Sequence, residues 1–129
     1  MEKQKKDLDI RLIELAALII ELTERLPKTI AGNHLTSQLI RSGTAPALQY
    51  GEAQGAESRN DFIHKMKIAL KELRESFNCL RIIKRLKWHS IENLDSILDE
   101  TNQLISIFVK SIHTAQMNKN QQKDNKKKD

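Results

Sequence analysis

A chain of 129 residues fits one domain, and 39% hydrophobic content with four Gly, two Pro and five aromatic residues is poor material for a sheet; an all-α protein is expected. Its single cysteine, Cys79, excludes an internal disulfide, suits a reducing cytoplasm, and reads as a small core-edge hydrophobe rather than a redox thiol. The formal charge of +5 sits mostly at one end: residues 118–129 hold five Lys and two Asp, a balance of +3, which leaves +2 for the other 117 residues.

The opening MEKQKKDLDI has basic residues but no apolar run leading to a cleavage site, so no export signal is expected. The most apolar segment, Leu12 to Ile20, is interrupted by Glu14 and is far shorter than the ~20 residues of a membrane span. A soluble, cytoplasmic protein follows as the expectation. The first helix is read from about Asp7 to Leu26, where Leu8, Leu12, Leu15, Ile19, Leu22 and Leu26 alternate spacings of four and three, and Pro27 stops it. Ile13, Ala17 and Ile20 lie on a different face. A helix in a small bundle turns one stripe inward, so this second stripe predicts either a self-association surface or an unusually broad core face.

The second helix is expected from Thr29 or Ile30 to about Glu57, with Leu35, Leu39, Tyr50 and Ala53 inward. Its small residues, Ser42, Gly43, Ala45, Ala47, Gly51, Gly55 and Ala56, let a neighbour approach closely, at about 1 kcal/mol of helix propensity for each interior Gly. Pro46 predicts a kink near Ser42 to Pro46, or a break into two shorter helices. Ser58 or Asn60 can cap the third helix, with Asp61 in its first turn. Its apolar face runs through Phe62, Met66, Ala69, Leu70, Leu73, Phe77 and Leu80. The fourth helix, after a turn near Lys87 to Ser90, repeats the four-three spacing through Ile91, Leu94, Leu98, Thr101, Ile105, Phe108, Ile112 and Ala115, widened by Ile97 and Leu104. Four such helices joined by short turns make an antiparallel up-and-down four-helix bundle over residues 1–117 the economical fold. Residues 118–129, with no apolar anchor, read as a disordered lysine-rich tail or as an RNA-binding arm.

Few arrangements of side chains suggest chemistry. His34, His64, His89 and His113 are scattered, with no Glu-x-x-His pair for a di-iron bundle, and no metal or cofactor is expected. His64, beside Lys65 and Lys67, reads as a solvated or phosphate-facing residue. Glu72 and Glu75 have the spacing of an acid/base pair and equally of an ordinary helix surface. With no Gly-rich phosphate loop, nucleophile elbow or Cys-x-x-Cys, enzymatic activity is not expected. The sharpest signal is a line of cations on the third helix, Lys67, Lys71, Arg74, Arg81 and Arg85, uninterrupted by any acid. Unpaired, it can follow a phosphate backbone; alternatively Glu75, or Glu92, Asp95 and Asp99 of the next helix, neutralise it. Lys65 and Glu72 border the apolar face, with Glu52 on the preceding helix a plausible partner, and Trp88 reads as an aromatic plug at the bundle end or a base-stacking platform.

The run RSGTA from Arg41, then Tyr50, Glu52-Ala53, Ser58, Asp61-Phe62-Ile63, Lys65 and Ile68-Ala69-Leu70-Lys71-Glu72, resembles the signature of the four-helix-bundle proteins encoded in intervening sequences of bacterial 23S ribosomal RNA genes. That family includes the accessory variability determinant of diversity-generating retroelements. The resemblance spans about residues 7–115 and implies an up-and-down bundle assembling as a homopentamer, often with a positive surface; for the retroelement relative it implies binding to RNA and to a reverse transcriptase. It makes Lys71 and Arg74 candidate RNA contacts and Glu52, Lys65, Glu72 and Glu75 the charged framework of the bundle. The chain departs from the family pattern at Pro46, at Gln49, and at Phe77-Asn78-Cys79, where an aromatic pair is common.

Overall fold

Apolar residues at alternating intervals of three and four leave this chain one way to bury them, and the computed structural model, which describes residues 2–88 and 91–128, takes it. Four helices follow in order: α1 (Glu2–Thr23), α2 (Ile30–Gln54), α3 (Arg59–Leu86) and α4 (Leu94–Lys128). Each packs on the next in the chain, α1 closes on α4 along a thinner seam, and α1 and α3 stand on opposite sides of the core. The described residues contain no strand.

The sequence locates the stops and starts. After α1 the chain turns through Arg25 and Leu26, whose amides donate to the Leu22 and Thr23 carbonyls, and Pro27 follows. Thr29 caps α2, its hydroxyl accepting from the Gly32 amide at 3.1 Å. Of the two candidates for α3, Ser58 is the cap, accepting from the Asp61 amide at 3.0 Å. Lys87 ends α3 in a left-handed conformation, and Asn93, also left-handed, precedes α4. Asn and Asp tolerate this region better than most residues, so the lysine is the more strained of the two.

The core follows the predicted seams with one rotation. Leu12, Leu15, Ile19, Leu22 and Leu26 of the first seam are buried, as are Leu35, Leu39, Tyr50 and Ala53 of α2, and Leu98, Thr101, Phe108 and Ile112 with Ile97 and Leu104 of α4. In α3 the buried face is Ile63, Met66, Ala69, Leu73, Ser76, Cys79, Leu80 and Ile83, while Phe62, Leu70 and Phe77 are only partly covered. That face is turned toward α2, with which α3 shares its fullest seam. Two hydroxyls pin the register there: Ser76 donates to Ser42 at 2.8 Å, both fully buried. Tyr50 and Phe108 meet edge-on across the core at 6.0 Å.

Of the two readings of Pro46, the single helix holds: α2 runs unbroken through Pro46, which is buried inside it, and the two-helix alternative fails because packing of the flanking turns outweighs one lost backbone bond. The small residues are not all close-approach sites. A Cβ on Gly43 would lie 2.8 Å from Ile19 Cγ2, whereas one on Gly51 would meet nothing within 4 Å. At its far end α4 continues through residues 118–128 to Lys128. No Gly or Pro interrupts that stretch, and its Lys and Gln residues are good helix formers.

Opposite effects are therefore expected from the same substitution at two glycines of one helix. Gly43→Ala presses on the fully buried Ile19 and should destabilise the fold by about 1–3 kcal/mol, less the propensity gained. Gly51→Ala should stabilise it by up to about 1 kcal/mol, since alanine gains propensity and touches nothing. Urea unfolding of both variants tests the contrast.

Candidate nucleic-acid interface

One surface is set by the geometry of α3. At about 100° per residue, Lys67, Lys71, Arg74, Asn78, Arg81 and Arg85 fall on one narrow line, climbing about 27 Å at 1.5 Å per residue. All six are exposed, on the side opposite the buried Ala69, Ser76 and Ile83. Asn78 fills the position that keeps the spacing of the charges from being regular, and its Oδ1 accepts from Arg81 at 3.3 Å. The Arg81 guanidinium also lies 5.7 Å from the centre of the Phe77 ring, a contact that orients the side chain without consuming its charge.

Whether the line is neutralised depends on where the acids go, and among the described residues none of them pairs with it. Arg41 of α2 takes both candidate carboxylates of α3, donating to Glu72 Oε2 at 2.7 Å and to Glu75 Oε2. Lys84 pairs with Asp95 at 2.8 Å. Asp99 accepts from Gln103 at 2.8 Å. Glu92 is exposed, and it is its backbone carbonyl that accepts from Arg25 at 3.3 Å. Among the described residues Lys67, Lys71, Arg74, Arg81 and Arg85 make no ion pair. At the C-terminal end of α3, Arg81, Lys84, Arg85 and Lys87 line a shallow cleft of about 510 Å³.

The charged framework is built differently from the expectation. Glu72 and Glu75 do lock α3 to α2, but through Arg41, whose second guanidinium nitrogen also donates to Gln38 at 3.0 Å. Lys65 finds Asp61 one turn earlier on its own helix at 3.5 Å, and Glu52 is exposed with no ion pair among the described residues. Local i,i+4 pairing needs less ordering than a reach between helices, which is why Lys65 does not cross to Glu52. Sequence reasoning missed Arg41. The available signal was two acids three apart on α3 with a lone cation inside the small-residue stretch of α2. A second bidentate lock, Arg11 to Glu100 at 2.6 and 2.9 Å, holds the thinner α1–α4 seam.

The second stripe of α1 faces outward: Ile13 is 55% and Ile20 39% exposed, Ala17 is exposed, and Ile10 at 61% extends the row. Because α1 and α3 are diagonal, this apolar stripe and the basic line face opposite ways. Trp88 is half-buried against the core beside Ile91 and Leu94, a plug at the α3–α4 turn. His34, His64 and His113 are exposed, and His89 lies outside the described residues. No group of His, Cys, Asp and Glu suited to a metal ion occurs among the described residues. Burial pushes the Cys79 thiol up, with Glu75 adding to the shift and Arg41 opposing it, so a thiolate is disfavoured there.

The profile of the 23S rRNA-intervening sequence proteins matches residues 7–110. The chain belongs to that family. A crystal structure of a protein of unknown function from the S23 ribosomal protein family of Bacteroides thetaiotaomicron is similar to it, with a TM-score of 0.73 and 28% identity over 81% of this chain and 97% of that one. No curated protein matches. Among the described residues of this intervening-sequence family member, no helix is long and apolar enough to cross a membrane.

Arg41 supplies a test of the framework. Arg41→Met should destabilise the bundle only modestly, because the guanidinium is half-exposed and its ion pairs are screened by solvent. The loss should shrink as salt rises, which denaturation at low and high ionic strength will read.

Proposed function

We propose that this intervening-sequence protein is a non-catalytic, oligomeric helical scaffold that holds RNA along the outer face of α3. The observation that carries the reading is the row of five exposed cations that make no ion pair among the described residues, while Glu72, Glu75 and Asp95 nearby are taken by Arg41 and Lys84. A straight row about 27 Å long offers phosphates several contacts without reading bases. Such binding is salt-sensitive and largely independent of sequence. The resemblance to RNA-binding relatives supports the same surface, and Lys71 and Arg74 are its centre.

Assembly is the second part of the proposal. Ile10, Ile13, Ala17 and Ile20 form an apolar row of a kind that soluble monomers seldom leave open. A copy number of five rests on the family resemblance. Since the row faces away from α3, a ring closed through α1 leaves every basic line accessible. The different reading keeps the apolar row for a protein partner, a reverse transcriptase by the same resemblance, with no direct contact to RNA.

Salt separates the two. Retention of a single-stranded RNA on the full chain should fall with a log–log slope of up to about −3.5 if five phosphates are neutralised. Lys71→Glu with Arg74→Glu should weaken it by at least about tenfold at low salt. Unchanged retention in that variant would remove the basic line from consideration. For assembly, sedimentation should give a multiple of the 14.9 kDa chain mass, and Ile13→Glu with Ile20→Glu should reduce it to the monomer; a monomeric native chain refutes the interface.

A further inference from the structure

The continuation of α4 past residue 117 creates a feature that a disordered tail would not have. Its distal turns run alongside the first turns of α3, and the two enclose a cleft of about 440 Å³ lined by Asn60, Ile63, His64, Lys67, Gln116, Lys119 and Asn120. Two ammonium groups, an imidazole and three carboxamides surround a floor supplied by Ile63, which is 7% exposed. No lining residue is acidic, and Asp61, the acid in the first turn of α3, pairs with Lys65. The space is within the ~300–1,000 Å³ of small-ligand pockets but polar where most are apolar. The amino end of a 28-residue helix adds partial positive charge, while the carboxyl end of α4, at Lys128, lies roughly 13 Å beyond Lys119. Beyond it, Arg59 joins Asn118, Gln121 and Asn125 around a second small hollow, again without an acid.

This donor set matches a phosphate monoester. A dianion is neutralised by two lysines, and the amides and imidazole can donate to its remaining oxygens. Lys67 is at once the first residue of the basic line and part of the cleft wall, so a strand lying along α3 would reach the cleft at its end. We infer that the α3–α4 cleft binds the terminal phosphate of the RNA strand held on α3. This rests on the RNA reading for the source of the phosphate, while the cleft itself stands on its own geometry.

The experiment uses the full chain with three short oligouridylates, ending in a 5′-phosphate, a 3′-phosphate or hydroxyls only, alongside inorganic phosphate. One phosphorylated end should bind at least about tenfold more tightly than the hydroxyl form, the effect of one or two charge-assisted contacts. Lys119→Gln should erase that preference while leaving the affinity for the hydroxyl form unchanged, and Lys119→Arg should largely restore it. Inorganic phosphate should shift the backbone amide resonances of His64 and Lys119 in the native chain but not those of Arg81 and Arg85. Equal affinity for all three ends, with no phosphate-dependent shift at His64 and Lys119, overturns the proposal. Shifts there with no oligonucleotide bound at all would defeat the RNA reading and the strand-end assignment together, leaving a cleft for free phosphate monoesters. Tight RNA binding that ignores its ends defeats the strand-end assignment and keeps the basic line.

Discussion

The register of α3 against α2 is the constraint on which the surface depends. Arg41 and Ser42 are adjacent in sequence and bind α3 at adjacent positions, one through Glu72 and Glu75 at the seam's edge, the other through Ser76 in its interior. The hydroxyl pair is fully enclosed, so losing its alignment would leave two polar groups unsatisfied in an apolar seam. Rotating α3 by one residue, about 100°, would carry the basic line toward a neighbouring helix. Burying unpaired lysines is far costlier than the gain from any alternative packing of the same apolar residues. The inward hydrogen bond and the outward charges thus favour the same orientation of α3.

Much of this was legible because helix packing has few solutions. The seams of α1 and α4 followed from four-three spacing alone, and the cap of α3 was narrowed to Ser58 or Asn60 by polar side chains ahead of a periodic run. The basic line was legible for the same geometric reason. The rotation of α3 was not, since Phe62 and Phe77 compete with Ile63 and Ser76 for the interior, and hydrophobicity favours the phenylalanines. What decides against them is the close seam with α2, where small and hydrogen-bonded side chains fit. Nor could spacing within one helix reveal Arg41, because its acids lie 31 and 34 residues away. Helix over residues 118–128 was not legible from periodicity, because that stretch has no apolar residue to mark a face, although it has no Gly or Pro to stop a helix.

Charge in this protein is sorted by location. Cations that hold carboxylates, Arg11, Arg41 and Lys84, do so across seams, and Lys65 does so along its own helix. Cations of the outer face of α3 have none. With 22 Lys and Arg against 17 Asp and Glu in the chain, the modest excess becomes a concentrated field because five cations share one line on α3 and none of them makes an ion pair among the described residues. A net charge of a few units says little about a surface until the pairing is known.

The overhang of α4 carries a thermodynamic consequence. At 35 residues against 28, it outruns α3 by about 10 Å, and apolar side chains cease after Met117. Beyond that point its helical order depends on propensity more than on packing, and propensity weakens on warming. Any anion seated between Lys67 and Lys119 would therefore also select the helical form of those last turns. Occupancy and helix content become linked quantities, and the end of the bundle acquires a heat signature that its rigid middle does not share.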